Sequence, residues 1–546
     1  MKACSIPFIL LLSFLLVGCG GQQNGKATVA ERIIVGSDTL VSANYDLLKD
    51  TVVVPLSSLL SDFSIVCLDN TSDEAIVGSG AKVFVSERYI GVFSSASGYR
   101  LFDRQGKYLT EVSSSGQGPY EYVMPICDSY IDDSGTVYLM PWMDKKLIAY
   151  DIQKDQYRAI PLTYMTTKAT FTIDAEKERL SIANLAFPGA KSVAWVQDLA
   201  GNLIEEVSAA NYIIPQPDFG NEMASAFCTE AFDVLFWTWT DQPILDTLYH
   251  YDTTANRLKP VYTAYPQKEG AAFRPSFVEL PDYYLTTVQV EDKLIQINQS
   301  TIILDGEQVV VAVDKHDLSG FYADLRLDML GGLTTPKFPP FRRGYYADNR
   351  DPIELKDALE DLLAKETDII PEQRAQLEAL AASLNDNSNN VLFVGKLKRE
   401  GESSFEGKIP VIHQTKSKAQ TDVSQTSEAM DDDNKLYRFD DLRDKLKEEP
   451  QFNDILFYLK ANNRYQNWDI NDKRLALVQV IVEKDGTISE ALLTRSTGNQ
   501  ELDEEALRLA RGAKGRAAID RRNRPVRMRD YSLQVSFPPT EPQLIK

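Results

Sequence analysis

From about residue 33 to 350 the chain alternates short apolar runs, rich in Val, Ile, Tyr, Phe and Thr, with clusters of Asp, Gly and Asn. That is the pattern of strands joined by tight turns. The runs Lys82–Val85, Tyr89–Phe93, Val137–Met140, Leu147–Tyr150 and Thr301–Leu304 predict strands most plainly. A unit recurs in which an apolar or aromatic run ends in Asp and a polar turn follows: Leu101-Phe102-Asp103, Ala149-Tyr150-Asp151, Val196-Gln197-Asp198, His250-Tyr251-Asp252 and Ile303-Leu304-Asp305. Successive Asp residues stand 48, 47, 54 and 53 positions apart. A four-stranded propeller blade takes roughly 40–50 residues. Five such units with flanking strands at either end predict six blades.

The period then changes. Asp351-Pro352 places an N-cap and a first-turn proline before Ile353, Leu355, Leu359, Leu362 and Leu363, one face of a helix. Pro371 restarts a second helix striped by Leu377, Leu380, Ala381 and Leu384, so a helical hairpin is expected over about 351–385. Val391–Leu397 predicts a strand that pairs with an N-terminal one and closes the ring, removing open sheet edges. Residues 399–434 are rich in Ser, Thr, Lys, Gln and Asp and predict a flexible linker, with a mean reach of roughly 30–35 Å. Beyond it, Leu436–Leu459 has helical spacing broken by Pro450. Leu475–Val482 and Ile488–Thr494 flank an Asp485-Gly486 hairpin turn, Asn499–Arg511 predicts a helix, and Val526–Phe537 a last strand.

Two stretches resemble known families. Tyr89-Ile90-Gly91-Val92, then Leu101-Phe102-Asp103-Arg104-Gln105-Gly106-Lys107, then Gly116-Gln117-Gly118-Pro119-Tyr120-Glu121-Tyr122 resembles the six-bladed propeller lipoproteins of Bacteroidota, over about residues 33–398. The segment with Val480–Gly486, Arg495-Ser496-Thr497-Gly498, Glu501–Ala506 and Arg524-Pro525-Val526 resembles the C-terminal domain of TonB, over about 435–540. It departs from that family before the last strand, where Arg516-Ala517-Ala518-Ile519 stands in place of a Trp-x-Pro-Ala-like stretch. The expected fold is therefore mainly β: a six-bladed β-propeller with a helical-hairpin insert, followed by a small α+β TonB C-terminal-like domain.

Residues 1–21 place Lys2 before an apolar run from Ile6 to Val17, too short for a membrane span but suited to a signal segment. Leu16-Val17-Gly18-Cys19 resembles the bacterial lipobox, which implies a signal peptide over 1–18, lipidation of Cys19 and a tether over 19–32. An outer-membrane anchor facing the periplasm is expected, with the cell surface as the alternative. Cys67, Cys127 and Cys228 are too few for a disulfide scaffold and read as small buried hydrophobes.

Composition narrows the function classes. Lys and Arg number 58 against 79 Asp and Glu, a net charge of −21, which argues against nucleic acid as a partner. Residues 434–546 carry +3, so the rest carries −24. Between 508 and 529 lie nine cations, among them Arg516, Arg521, Arg522, Arg524, Arg527 and Arg529. They are a candidate patch for an acidic peptide, anionic lipid or the acidic propeller; a solvated face is the plain alternative. The final strand, Met528–Phe537, is taken as an open edge for strand addition, with Leu533 and Val535 on it.

Three further candidates lie in the β region. Trp237 and Trp239 share one side of a strand as a stacking platform or as packing between blades. Gly116-x-Gly118-Pro119 with Glu121 is either a ligand loop or a loop shaped by Gly and Pro. Pro339–Tyr346, with Arg342 and Arg343, reads as a surface patch or as a plain connector into the helical insert. The three histidines, His250, His316 and His413, do not occupy equivalent blade positions, so no metal or other cofactor is expected.

The expected function is a lipid-anchored envelope binding or scaffold protein without catalytic residues. Its propeller is a recognition platform. Its TonB-like domain is a periplasmic interaction module for envelope or outer-membrane proteins, transport receptors included. The alternative is a metal-dependent propeller hydrolase or lyase acting on envelope glycans or peptides, with His250 as a ligand.

Overall fold

The computed structural model describes residues 27–539 apart from positions 79, 96, 367, 386, 473 and 496 and the stretches 215–220, 238–246, 266–274, 290–292, 299–300, 306–307, 406–409, 415–435, 439–445, 449–454, 470–471 and 521–524. The chain is mainly β, divided into many small sheets. It forms two compact units, Met1–Gln420 and Thr421–Lys546.

The first unit is a succession of antiparallel meanders. Sheet 1 holds Lys82–Val85, Tyr89–Ser94, Gly98–Asp103 and Tyr108–Ser113; sheet 2 holds Ile126–Ile131, Thr136–Pro141, Lys146–Asp151 and Gln156–Pro161. Sheet 3 holds Ala169–Asp174, Arg179–Asn184, Ser192–Asp198 and Leu203–Ser208. Second and third strands are buried on both faces, as Tyr89–Ser94 and Gly98–Asp103 are, and their sequences are accordingly apolar without alternation. Fourth strands are largely exposed, as Leu203–Ser208 is. A sheet sandwiched between neighbours has this profile.

Sheets 4 to 6 each gain a strand from elsewhere in the chain. Sheet 4 runs Glu222–Ala224, Asp233–Trp237, Thr247–Asp252 and Arg257–Tyr265, and Asp38–Asn44 adds to it in parallel. Sheet 5 runs Ser276–Glu279, Tyr283–Gln289, Gln308–Asp314 and Ser319–Leu327, with Thr51–Pro55 added in parallel. Sheet 6 joins the two ends of the unit: Phe341–Arg342, Tyr345–Arg350 and Val391–Lys396 are followed by Ser64–Cys67, which pairs antiparallel to Val391–Lys396. Val411–Gln414 then adds in parallel to Ser64–Cys67. The first strands of sheets 1, 2, 3 and 4 lie against one another in turn, and Tyr345–Arg350 of sheet 6 lies against Lys82–Val85 of sheet 1.

The recurring Asp has a specific task. Asp103 Oδ1 accepts hydrogen bonds from the amides of Gln105 and Lys107, both at 2.9 Å, and so shapes the turn between third and fourth strands. Asp151, Asp198 and Asp252 do the same at the equivalent corner. In sheet 5 the role falls to Asp314, which accepts from the amides of His316 and Asp317. The expected Asp305 instead ends a strand of a two-stranded hairpin, Lys293–Asn298 with Thr301–Asp305, inserted between the second and third strands. The same β-strand residues occur in both hairpins, so spacing alone picked the wrong one.

Helices α1 (Pro352–Lys365) and α2 (Pro371–Ser383) form the expected hairpin, inserted in sheet 6 between its second and third strands. Asp351 caps α1 by accepting from Ile353 N and Glu354 N. Leu355, Leu359, Leu377 and Leu380 bury against Leu327, Met329 and Leu330.

Two boundaries differ from expectation. Ala27–Thr28 and Ala30–Val35 are strands, so the stretch expected as a tether contributes to the sheets. Val411–Gln414, with His413, falls within the expected linker yet adopts the strand described above. A sheet edge that needs covering recruits residues whose composition alone reads as loop.

The second unit packs α4 (Gln500–Gly512) on a sheet ordered Leu446–Glu448, Ala518–Asp520, Pro525–Phe537, Arg474–Val482, Ile488–Arg495. Leu502, Ala506, Leu509 and Ala510 of α4 meet Val478, Val480, Leu533, Val535 and Phe537. Asn499 caps α4, accepting from Glu501 N and Leu502 N. The helical expectation over Leu436–Leu459 is corrected: Leu436–Arg438 and Leu446–Glu448 are strands, and only α3 (Ile455–Asn462) is helical. Leu436–Arg438 runs parallel to Arg527–Arg529, and cross-strand pairing overrides weak helical periodicity. Among the described residues no helix is long and apolar enough to cross a membrane.

Candidate binding site

Where sheet 6 begins, Phe341 pairs with Tyr346 and Arg342 with Tyr345, leaving Arg343-Gly344 as a two-residue turn. Both have left-handed backbone, with φ of +50° and +77°, as a type I′ turn requires. Glycine suits this; a long side chain such as Arg343 does not, and such a residue is worth a functional explanation. Its partners supply one. Arg343 Nε donates to Ser129 O at 3.3 Å, and Nη2 donates to Phe171 O at 2.9 Å and Asp128 Oδ2 at 3.3 Å. The guanidinium lies 4.2 Å from the Phe227 ring centroid and 4.7 Å from that of Tyr130. Arg342 donates from Nη2 to Asp128 Oδ1 and lies 5.2 Å from the Phe84 ring centroid.

Asp128 is the counter-group. It is 1% exposed and accepts further bonds from Ser129 N at 2.7 Å, Thr170 Oγ1 at 2.8 Å and Phe171 N at 3.3 Å. Burial alone pushes its carboxyl up, but Arg342 and Arg343 outweigh it and hold it below the ordinary carboxylate range. Through this knot the turn of sheet 6 touches sheets 1, 2, 3 and 4. The expectation of a surface patch at Pro339–Tyr346 is therefore corrected: Phe341, Tyr345 and Tyr346 are buried, and the Arg343 side chain is only 12% exposed. Pro and Arg ordinarily resist burial, but a buried carboxylate on a distant strand overrides that preference.

Above the knot opens a cavity of about 670 Å³, lined by residues of sheets 1, 2, 5 and 6 and of the segment joining the first two strands of sheet 4. Its walls include Tyr130, Phe227, Arg343 and Tyr345, and Glu87 with Lys396. Lys396 Nζ lies 2.5 Å from Glu87 Oε1, and this bond holds Glu87 below its usual range. Lys315, also on the wall, pairs with the buried Glu279 at 2.7 Å. His250 Nε2 meets the other Glu279 oxygen at 2.5 Å. Burial pushes Glu279 up, and its bonds to His250 and Lys315 more than reverse this. Among the described residues no group of three or more His, Cys, Asp or Glu is placed to hold a metal ion. His250 is engaged by a carboxylate, and His316 sits by Asp282 at 3.2 Å in an exposed turn.

The residues singled out in the sequence scatter rather than converge. Glu121 folds back on its own loop: its Oε2 accepts from Gly118 N at 2.7 Å, and a Cβ at Gly116 would stand 1.9 Å from that oxygen. The Gly-x-Gly-Pro-x-Glu spacing is thus explained by loop geometry. Trp237 ends a strand of sheet 4 half-buried, while Trp239 lies outside the described residues. In the second unit Leu533 and Val535 are 4% and 1% exposed and belong to the core, and their strand lies inside the sheet rather than at its edge. The Ile488–Arg495 strand ends the sheet instead. Arg527 forks onto Glu483, at 2.6 and 2.8 Å, so its charge is already met. Arg516 is exposed; Arg521, Arg522 and Arg524, the Arg529 side chain and Cys19 lie outside what is described. Cys228 is buried, and Cys67 and Cys127 half-buried; burial pushes their thiols up to about 12, 11 and 11.

Sequence reasoning indicates no site at the cavity: it places Arg343, Gly344 and Tyr345 on the surface and reads Cys228 as a small hydrophobe. One signal was available: Asp128, followed by Ser129, interrupts the apolar residues of Ile126–Ile131, and a carboxylate in a buried strand demands a cation.

The sequence model of a family described as a domain of unknown function, DUF4934, matches residues 44–396. Comparison with curated proteins finds no match. Among solved structures, a Bacteroides fragilis protein described provisionally as exported is 13% identical, with a TM-score of 0.42, over 66% of this chain and 100% of its own. A member of the duf4221 family from Bacteroides vulgatus is 13% identical, with a TM-score of 0.31, over 48% of this chain and 84% of its own. The extracellular domain of a one-component system from B. thetaiotaomicron is 9% identical, with a TM-score of 0.30, over 86% of this chain and 60% of its own.

Proposed function

The chain belongs to the DUF4934 family, and on that premise we propose that it is a non-catalytic binding protein of the cell envelope, anchored by lipid on Cys19 to the outer membrane. In this reading the first unit is a six-bladed propeller. Six successive sheets, neighbouring first strands and the pairing of Ser64–Cys67 with Val391–Lys396 support it. The second unit is a TonB C-terminal-like module for a protein partner, supported by the residues quoted for that resemblance and by α4 on its sheet.

The observation that carries the binding role is the cavity of about 670 Å³, walled by residues from five sheets and their connections. Such a volume suits a small ligand or one side group of a larger partner. Tyr130, Tyr345 and Lys396 of its wall stand on strands, which position site residues more precisely than loops do.

Two measurements test the reading. Labelling with a radioactive fatty acid is expected to mark the wild-type chain and to leave Cys19→Ser unmarked. Crosslinking in cells is then compared between the full chain and a truncation at residue 434. The reading expects an envelope partner in both if the first unit recognises it, or in the full chain alone if the second does. Absence of any crosslinked envelope component from both chains overturns it.

A further inference from the structure

The knot beneath the cavity has an unequal stoichiometry. Two guanidiniums, Arg342 and Arg343, share one bonded carboxylate, Asp128. Arg342 Nε is buried without a hydrogen-bond partner. The three hydrogen bonds of Arg343 occupy Nε and Nη2, and among the described residues Nη1 makes none. The next carboxylate, Asp233, is committed elsewhere: it accepts from Ser225 Oγ, Ala226 N and Phe227 N at 2.7–2.9 Å. Arg343 is a cavity wall residue, so its spare N–H groups belong to a site with one kind of complement.

A second, independent observation lies in the backbone. Phe227, the ring closest to Arg343, is also left-handed, with φ of +49°. Two bulky residues in a conformation that costs each of them free energy thus stand face to face on one cavity wall. Strain of this kind clusters where a ligand is held. Carboxylates also line the space, but they differ in exposure and pairing from the arginine. Asp133, Glu230 and Glu400 are exposed at the rim, where water screens them, whereas Glu87 is bound by Lys396. Arg343, Tyr130, Phe227 and Tyr345, buried or half-buried, are the less exposed part of the same lining.

We infer that this cavity is a binding site for an anionic oxygen group, a carboxylate or a phosphate, carried on a flat apolar body: Arg343 Nη1 receives the anion, and Phe227, Tyr130 and Tyr345 pack the body. A guanidinium offers paired donors to such oxygens, and partial burial strengthens the contact relative to water. The inference rests on the binding role proposed above and names its ligand class.

Isothermal titration of the full chain with benzoate, phenyl phosphate and the neutral benzamide tests it. One saturable site is expected for benzoate, phenyl phosphate or both, at least tenfold tighter than benzamide. Benzoate alone assigns the site to carboxylates and phenyl phosphate alone to phosphates. Arg343→Met should weaken the anion at least tenfold. Because that change also disturbs the Asp128 knot, Thr229→Trp, which fills the cavity from its wall, provides a second variant and should abolish binding. Absence of binding by both anions, parity with benzamide, or full affinity in Thr229→Trp overturns the inference. Anion binding without any crosslinked partner in cells leaves the cavity assignment standing and removes the envelope reading. A crosslinked partner without anion binding does the reverse.

Discussion

Replacing Asp128 with Asn asks the first unit to keep two partly buried guanidiniums without their buried carboxylate. The change is nearly isosteric, so no cavity is created and the cost is electrostatic. Asp128 bonds Arg342 and Arg343 and accepts from Ser129 N, Thr170 Oγ1 and Phe171 N. The asparagine amide keeps one acceptor oxygen and turns donors toward cations. Removing one member of a buried charge pair costs about 3–5 kcal/mol. With an unfolding entropy of about 2.1 cal/mol/K per residue over about 390 residues, that lowers the melting temperature by about 4–6 °C. Scanning calorimetry on the full chain reads it as a shift of the larger transition. The double variant Asp128→Asn/Arg342→Met should lose less than the sum of the singles by at least ~1 kcal/mol, since deleting a cation removes part of the conflict. A single variant within ~1 kcal/mol of wild type, or strict additivity in the double, would refute the account of the knot.

Other expectations follow from the same contacts. Asp128 and Glu279 are both held below their unfolded values, so their contribution is present above about pH 4–5 and is lost as pH falls through their folded values. The melting gap between wild type and Asp128→Asn should therefore be full at pH 7 and narrow below pH ~4; a gap that widens in acid contradicts the assignment. Gly116→Ala meets only the movable end of Glu121 at 1.9 Å and should cost about 1 kcal/mol, the Glu121 hydrogen bond. Gly486→Ala meets the Gly515 carbonyl oxygen at 1.8 Å with φ of +78° and should cost the second unit about 2–4 kcal/mol by thermal unfolding. Asp198→Ala should speed amide hydrogen exchange at Ala200 and Asn202 while leaving exchange at the buried Trp195 strand unchanged.

Local chemistry was readable where a residue's neighbours in sequence are its partners in space. Asp351 announced α1 because the amides it caps lie two and three residues on. Asp103, Asp151, Asp198 and Asp252 marked their turns for the same reason, and the apolar third strands announced burial on both faces. Legibility failed where the partner is remote. Asp305 and Asp314 end similar strands, and only pairing with Tyr283–Gln289 and Ser319–Leu327 shows which belongs to the sheet. Arg342 and Arg343 looked like surface because composition cannot see Asp128 more than 200 residues away. The strand at Pro525–Phe537 looked terminal in sequence and became internal because Ala518–Asp520 and Leu436–Arg438 pair beside it. The candidate site therefore emerged from long-range convergence, with the polar break at Asp128 as its single local trace.

The central claim is that recognition occurs in the cavity above Arg343. A photoreactive benzoylphenylalanine placed at Glu230, exposed among the cavity's lining residues, and separately at Ile204, 41% exposed on a fourth strand, tests it most directly in living cells. Irradiation should attach a ligand or partner to the chain substituted at Glu230 and leave the chain substituted at Ile204 at its own mass. An adduct at Ile204 with none at Glu230 would contradict the claim and move recognition to the outer face of the sheets.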